Sequence, residues 1–329
     1  MNKYIKLSFA VLLSIVGVYF AFAGEDFAKL RTHITSVSLE EIYIAVILLI
    51  FSCLPRALRW KLLINPFKSI PFHHVFSATM IGYFGNGVLV FRLGELLKAY
   101  VIAKGRQITT SRVFGTVIVE RILDLLMVFL IFIIVLPWFP LSDEKIKYGI
   151  YLSIVIFVFV ILMIAFTYKF KLLDRFAMYE VFLTDYGKKI IKTLKGSLEG
   201  VVAVLKNENV VLIIFLSIFI WFIYFFVGLF VLKACDISLD FHEIGILLVI
   251  SSFLLGIPSL PGAAGTLDVG VKYTLVLIFN VTSSKALSYS IISHAVAYFP
   301  LLIIGLIYFF TSNVTFQEIK NRKIINEEI

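Results

Sequence analysis

Three ionisable side chains stand close together in an otherwise apolar stretch, residues 114–136: Glu120, Arg121 and Asp124. Because helical neighbours lie three and four positions apart, this spacing places all three near one helix face. Charge inside a long apolar helix is costly and is seldom retained without a use. The pattern predicts either a self-neutralising structural cluster or part of a substrate or proton site, and both interpretations remain open.

A second polar feature, Arg92-Leu93-Gly94-Glu95, interrupts a neighbouring apolar region. A break between two half-helices frees backbone N–H groups, and a guanidinium placed there can hold a phosphate through two hydrogen bonds. Glu95 begins the second half-helix, where a carboxylate also complements the helix dipole. We therefore expect Arg92 to bind an anionic group, and Glu95 either to line the same site or to cap the helix.

A third feature is the small-residue segment 261–265, which opens a half-helix that carries Asp268 and Lys272. Its glycines would let the backbone approach a ligand, and a helix N-terminus favours an anion; tight helix packing would use small residues equally well. His294 either faces the same cavity or is a hydrogen-bonded packing residue. The predicted substrate-binding residues are Arg92, Glu95, Arg121, Gly262, Gly265 and Lys272; the predicted charge-balancing or proton-coupling residues are Glu120, Asp124, Asp268 and His294.

Familiar catalytic signatures are absent from the sequence, which has no P-loop, nucleophile elbow, HExxH or CxxC. Cys53 and Cys235 show neither metal-ligand spacing nor a disulfide framework, so we expect both to be packing residues. His73 and His74 are a weak metal pattern at a membrane interface. No metal, cofactor or enzymatic activity is predicted.

Composition defines the class of protein. Of 329 residues, 60% are hydrophobic and 16% charged, and the mean hydropathy is +1.00, as in multi-pass membrane proteins. The formal net charge is +9. In such a protein this excess indicates basic cytoplasmic loops rather than nucleic-acid binding.

Six apolar runs approach or exceed the roughly 20 residues that a helix needs to cross the hydrocarbon. They are residues 4–23, 42–63, 112–136, 147–168, 210–232 and 286–311. Two further apolar regions, 72–104 and 244–280, are interrupted, and we expect each to form a re-entrant helical hairpin. The predicted breaks lie at Gly85, Asn86, Gly87 and Gly94 in the first hairpin, and at Pro258 and Pro261 in the second.

The charge of the loops predicts their orientation. Basic residues near each end place both termini in the cytoplasm. Arg56, Arg59 and Lys98 are expected to be charges that mark the cytoplasmic side.

The order helix–hairpin–helix then occurs twice with opposite orientation, at 42–136 and 210–312. An inverted repeat of this kind predicts a substrate site where broken helices meet near the midplane. The alternative is a bundle of eight or more ordinary spans with glycine kinks.

The remaining segments connect or flank these two units. Residues 1–41 comprise a signal-anchor helix and an outer loop, although Ala21-Phe22-Ala23 is also a passable signal-peptidase site. Residues 137–168 form a connecting span. Residues 169–209 form either an amphipathic helix on the cytoplasmic leaflet or a simple connector, and 313–329 form a cytoplasmic tail.

Four motifs in order resemble the lysylphosphatidylglycerol synthase transmembrane-region family, also called flippase-like domain proteins. They are Arg56-Ala57-Leu58-Arg59-Trp60-Lys61-Leu62-Leu63, Arg92-Leu93-Gly94-Glu95, Glu120-Arg121-Ile122-Leu123-Asp124 and Pro258-Ser259-Leu260-Pro261-Gly262-Ala263-Ala264-Gly265. The resemblance runs from about residue 40 to 312. It departs from the family pattern at Val90-Phe91, where Pro usually precedes the hairpin Arg, and at Asp268, where Glu is usual.

The resemblance implies an inner-membrane protein that moves an anionic phospholipid or a polyprenyl-phosphate-linked lipid between leaflets. The family's aminoacyl-transferase domain does not follow residue 312, so we do not expect synthesis of an aminoacyl lipid. The alternative is a non-transporting scaffold or regulator of a lipid- or glycan-modifying enzyme. Expected partners are a lipid with a phosphate head group and either a second copy of the chain or such an enzyme.

Overall fold

The computed structural model describes residues 3–89, 92–139, 208–256 and 261–312, together with positions 148, 151 and 155. These residues form helices joined by short turns and contain no strand. The α-helices are α1 (Lys3–Phe22), α2 (Phe27–Thr35), α3 (Leu39–Ile64), α4 (Phe72–Val88), α5 (Gly94–Ala103), α6 (Thr110–Val135), α7 (Val210–Ala234), α8 (Phe241–Leu255), α9 (Thr266–Leu277) and α10 (Ser283–Thr311).

Nearly all described residues belong to one compact unit, made of residues 1–138 and 211–329, while 139–210 form a second unit. Apart from a few isolated positions, three predicted segments lie outside the described residues: the span at 147–168, the amphipathic segment at 169–209 and the tail at 313–329. Pro258 also lies outside them.

Three described helices, α3, α7 and α10, are long and apolar enough to cross a membrane. They coincide with three of the predicted spans, and α1 and α6 coincide with two more. α7 exposes large apolar side chains such as Val211, Phe215 and Phe222, as a helix surrounded by lipid does. The chain is thus an all-helical, multi-pass membrane protein.

The first interrupted region is a pair of helices, α4 and α5, that run antiparallel. A Cβ atom built on Gly85 would lie 2.7 Å from the Cα of Gly94, and one built on Gly82 would lie 3.0 Å from the Cβ of Lys98. Of the predicted break residues, Gly94 stands at the break as the first residue of α5, but Gly85, Asn86 and Gly87 are helical within α4, and the chain leaves that helix only after Val88. Glycine here permits close packing of α5 on α4 rather than interrupting the helix.

The second interrupted region consists of α8, a 3₁₀ turn at Pro261–Ala263, and α9. Gly262, Ala263 and Gly265 all have positive φ, at 74°, 63° and 84°, so this turn winds in the left-handed region that glycine adopts freely. The small residues predicted to break the helix therefore do so here.

Helix α1 packs against this second break. A Cβ atom built on Gly265 would lie 2.3 Å from the carbonyl oxygen of Ser14, and one on Gly17 would lie 2.6 Å from the carbonyl carbon of Gly265. Gly17 and Gly265 leave room for the two backbones to approach this closely, because neither carries a Cβ atom. The N-terminal helix thus supports the turn that opens α9.

Helix α10 packs along α4 and ties the two interrupted regions together. A Cβ atom on Gly305 would lie 2.3 Å from the carbonyl oxygen of Met80, and one on Gly87 would lie 2.7 Å from Leu302. A larger apolar core joins α3, α7, α9 and α10 around Leu232, Leu275 and Ala286. The element order is helix, helix pair, helix in each half: α3, α4–α5, α6, and then α7, α8–α9, α10.

Candidate functional site

Glu120 is the centre of a buried group of charges between α3, α5 and α6. Its side chain is fully buried, and cations from all three helices reach it. Lys98 Nζ lies 2.5 Å from Oε2, Arg121 Nη2 lies 3.0 Å from Oε1 and Arg56 Nη1 lies 3.2 Å from Oε1. Because an unpaired buried carboxylate is very costly, these cations make the position of Glu120 tolerable.

Asp124 lies one turn further along α6 and shares the same cations. Arg59 Nη2 donates to Oδ1 across 2.7 Å, and Arg56 Nη2 donates to Oδ2 across 3.2 Å. Arg121 Nη1 lies 3.3 Å from Oδ2. The structure therefore brings Glu120, Arg121 and Asp124 together on one helix face, as their spacing predicts.

Polar and aromatic side chains, one of them on a fourth helix, hold Arg59 and Lys98 in place. The hydroxyl of Ser217 on α7 accepts a hydrogen bond from Arg59 Nη1 at 3.0 Å. Lys98 Nζ lies 4.0 Å from the centre of the Trp60 ring, and Trp60 Nε1 donates to Thr116 Oγ1 at 3.0 Å. A cation over the face of an indole ring is stabilised when water is scarce.

Glu95 and Asn86 extend the group to the first break. Arg121 Nε lies 3.7 Å from Glu95 Oε1, and Asn86 Nδ2 donates to the same oxygen at 3.5 Å. Three atoms here are buried without a hydrogen-bond partner among the described residues: Asn86 Oδ1, Glu95 Oε2 and Arg121 Nε. Buried polar atoms are nearly always satisfied, so unused donors and acceptors at one place indicate room for a polar ligand or water. The charge cluster, as the term is used below, consists of Arg56, Arg59, Glu95, Lys98, Glu120, Arg121 and Asp124.

Arg92 stands at the edge of the charge cluster, on the first break. Its φ is +53°, an uncommon conformation for a residue with a side chain. Nη2 donates to the carbonyl oxygen of Leu255 across 2.6 Å, which satisfies a backbone acceptor at the C-terminal end of α8. Arg121 and Glu95 are within electrostatic range of the guanidinium. Arg92 therefore joins the break of the first helix pair to the end of a helix in the second.

Tyr298 makes another connection between the two interrupted regions. Its hydroxyl donates to the carbonyl oxygen of Gly87 at 2.9 Å, near the end of α4. A Cβ atom on Gly262 would lie 2.7 Å from Tyr298 Cε2, so the turn that opens the second break lies against the same ring. Both breaks thus meet at one side chain of α10.

Asp268 and His294 form a separate ionisable pair beside the second break. His294 Nδ1 lies 3.0 Å from Asp268 Oδ1, and the two side chains are 18% and 16% exposed, respectively. The backbone N–H of Gly265 donates to Asp268 Oδ2 at 2.9 Å, and the Ser290 hydroxyl donates to the Asp268 carbonyl oxygen at 3.1 Å. The structure therefore pairs His294 with Asp268, a contact that agrees with both interpretations of His294, as a cavity residue and as a hydrogen-bonded packing residue.

Lys272, predicted to bind substrate, is buried and engaged elsewhere. Its Nζ lies 2.6 Å from Glu25 Oε1 and 2.6 Å from the carbonyl oxygen of Ala21, at the end of α1. Burial opposes ionisation of Glu25, but hydrogen bonds from Lys272 and Ser283 outweigh it and hold the pKa of Glu25 below its ordinary value of 4.5. These contacts give Lys272 an anchoring role between α9 and the N-terminal helix.

The sequence does not predict that several other residues belong to the site. Arg56, Arg59 and Lys98 are expected to mark the cytoplasmic side as exposed charges, but they are 6%, 0% and 4% exposed and belong to the charge cluster. A usable signal exists in the three-residue spacing of Arg56 and Arg59 inside an apolar helix, which places both on one face. Tyr298, Ser217 and Glu25 carry no comparable signal. Within the described ranges, no group of three or more His, Cys, Asp or Glu side chains could hold a metal ion.

The chain is helical and multi-pass, it contains two interrupted helix pairs, and a buried, cation-rich group lies beside the first break. These features define a membrane protein with an internal polar site. The chain belongs to the lysylphosphatidylglycerol synthase TM region family, whose model matches residues 7–305.

Two relatives are UPF0104 membrane proteins of Methanocaldococcus jannaschii. One is 28% identical over 249 residues, which cover 73% of this chain and 99% of the relative. The other is 28% identical over 149 residues, which cover 43% of this chain and 44% of the relative. No solved structure matches the chain significantly.

Proposed function

We propose that this protein moves an anionic lipid, a phospholipid or a polyprenyl-phosphate-linked lipid, from one leaflet to the other. One observation carries the proposal: the charge cluster and Arg92 together hold five basic side chains against three acidic ones. Uncompensated positive charge is costly away from water, and a lipid phosphate would balance part of it. Membership of the family supports a role that concerns lipids.

Arg92 is the residue that first holds the phosphate. It is exposed, and the Leu255 carbonyl engages one of its two terminal nitrogens, so the guanidinium fork retains donors for a phosphate. The N-terminal end of α9 at Gly265 adds the positive end of a helix dipole at the second break. Arg92 and the start of α9 both lie near contacts between the two interrupted regions, which are the Arg92–Leu255 hydrogen bond and the packing of Gly262 on Tyr298.

The carboxylates of the charge cluster balance charge. Each oxygen of Glu120 and Asp124 faces at least one cation, so these groups keep the arginines in place while the ligand comes and goes. This arrangement is compatible with both interpretations of the sequence, because a neutralising network also positions the neighbouring site.

Transport follows the scheme of an inverted repeat. Six spans and two re-entrant hairpins, with both termini in the cytoplasm, place the breaks near the midplane of the cell's inner membrane. The repeated order of helix, helix pair, helix supports this topology. Movement of one helix–hairpin–helix repeat against the other then exposes Arg92 to each leaflet in turn.

A vesicle assay tests the proposal. The full-length protein is reconstituted with tail-labelled fluorescent phosphatidylglycerol, and an impermeant reductant added outside bleaches the outer leaflet. We expect faster bleaching of the inner pool with protein than without, and loss of this acceleration in Arg92→Ala. Arg31→Ala, an exposed arginine on α2, is the matched control and should retain it. Equal bleaching with and without protein, together with co-purification of a lipid- or glycan-modifying enzyme, would instead favour the scaffold role.

A further inference from the structure

The described ionisable groups of the two halves differ in how they are compensated. Glu120 lies within ion-pair distance of Arg56, Arg59, Lys98 and Arg121. A proton added to Glu120 would remove the carboxylate charge that all four of these cations contact, and would leave four cations in this group with Asp124 and Glu95 alone to balance them. The charge cluster is therefore unsuited to bind and release protons during a transport cycle.

The Asp268–His294 pair has the opposite character. Its carboxylate faces one ionisable partner among the described residues, the imidazole 3.0 Å away, and neutral donors from Gly265 and Ser290 complete its hydrogen bonds. Both side chains are partly exposed, at 18% and 16%. Histidine is the side chain whose charge changes most readily near neutral pH.

Among the described groups packed around His294, only the Asp268 carboxylate lies within ion-pair distance of the imidazole. On α9, Asp268 faces it, while Lys272 one turn further is held by Glu25 and Ala21. Within the described parts of α2, α3 and α4, which also contact α10, no charged side chain lies within ion-pair distance of the imidazole. On α10 itself, the Tyr298 ring meets the imidazole edge to face, with centroids 6.0 Å apart.

Tyr298 relates this pair to both breaks. Its hydroxyl holds the Gly87 carbonyl oxygen at the end of α4, and Gly262 of the second break lies against its ring. A change of charge on His294 therefore acts directly on the side chain that connects the two helix pairs.

Resting on the proposed function, we propose that His294 binds the proton that couples lipid movement to a pH gradient. In the neutral form Nδ1–H donates to Asp268, and Nε2 carries the lone pair that accepts the proton. No bond other than this N–H forms or breaks. Asp268 is the positioning residue that fixes the tautomer and stabilises the imidazolium, and Tyr298 transmits the change to Gly87.

The test uses the same vesicles with an imposed pH gradient. For the unmodified protein we expect the rate of lipid movement to change when the gradient is applied and to return when an ionophore collapses it. His294→Gln and Asp268→Asn should lose this response. His73→Gln, an exposed histidine at the start of α4, should keep it.

A second variant covers the event that the first two do not fold. Tyr298→Phe keeps the aromatic ring but lacks the hydroxyl that reaches Gly87, so it should fold and show a weaker response to the gradient. Lipid movement that is identical with and without a gradient in the unmodified protein would overturn proton coupling and leave transport standing. Absence of lipid movement under every condition would overturn both proposals.

Discussion

Arg92 Nη2 lies 2.6 Å from the carbonyl oxygen of Leu255, so a side chain at the first helix break caps a helix of the second interrupted pair. A phosphate that takes over the N–H now donated to the Leu255 carbonyl displaces that carbonyl, and binding in this way loosens one contact between the two pairs. The same guanidinium can thus bind the ligand and, when no ligand is bound, connect the two helix pairs through the Leu255 carbonyl.

The geometry of Arg92 predicts that charge alone is insufficient. Arg92→Lys retains the positive charge but replaces a planar fork with a single ammonium, which cannot hold two phosphate oxygens in the same way. We expect lipid movement in vesicles to fall between that of the unmodified protein and Arg92→Ala. Full activity in Arg92→Lys would show that the fork has no role.

Glu120 should be among the most sensitive positions for stability. Glu120→Gln removes the buried negative charge and leaves Arg56 and Lys98 without it, at a cost of about 3–5 kcal/mol for a broken buried ion pair. Thermal unfolding in detergent should show a clear drop in Tm. Asp236→Asn is the control, because that side chain is 97% exposed and should have little effect.

A double variant distinguishes charge from packing at this position. If uncompensated charge is the cause, Lys98→Met should destabilise the protein alone but restore part of the Tm in the Glu120→Gln background. Additive losses in the double variant would attribute the effect of Glu120 to packing instead.

Two helical glycines should respond differently to the same substitution. Gly85→Ala places a Cβ atom 2.7 Å from the Cα of Gly94, so α4 and α5 must separate and stability should fall. A Cβ atom on Gly228 meets nothing closer than Ile244 at 4.0 Å, and Gly228→Ala should be neutral or stabilising by up to about 1 kcal/mol from reduced backbone entropy. Equal effects on Tm would contradict the close packing of the first helix pair.

Glu25 predicts a dependence of stability on acid pH. Its pKa in the folded protein is below the ordinary value of 4.5, so the unfolded chain takes up this proton first as the pH falls. The stabilisation is complete above about pH 4.5 and is lost as the pH falls through the folded pKa. Tm measured from pH 7 to pH 3 should decline less in Glu25→Gln than in the unmodified protein, whereas Glu40→Gln, an exposed control, should follow the unmodified curve.

Much of the fold could be predicted from the sequence, because apolar run length and helical spacing depend on local pattern. The helices α3, α7 and α10 and the common face of Glu120 and Asp124 are of this kind. The predicted break at Gly94 agrees with the structure, but the prediction for Gly85, Asn86 and Gly87 is wrong, since packing against Gly94 overrides the low helix propensity of Gly85 and Gly87.

The partners in the site could not be predicted in the same way. A basic residue near the end of an apolar run is typical both of a cytoplasmic loop and of a buried ion pair. Whether Arg59 and Lys98 meet water or Glu120 depends on how α3 and α5 pack on α6. The contact between Glu25 and Lys272 likewise depends on tertiary structure alone, because nothing local in either segment indicates the other.

The most direct test of the central claim is a cryo-EM map of the full-length protein in nanodiscs that contain phosphatidylglycerol. We expect density for a lipid phosphate within hydrogen-bonding distance of the Arg92 guanidinium, and its loss in Arg92→Ala. Lipid phosphates confined to the two membrane surfaces, with Arg92 still bound to the Leu255 carbonyl in every class of particles, would contradict it.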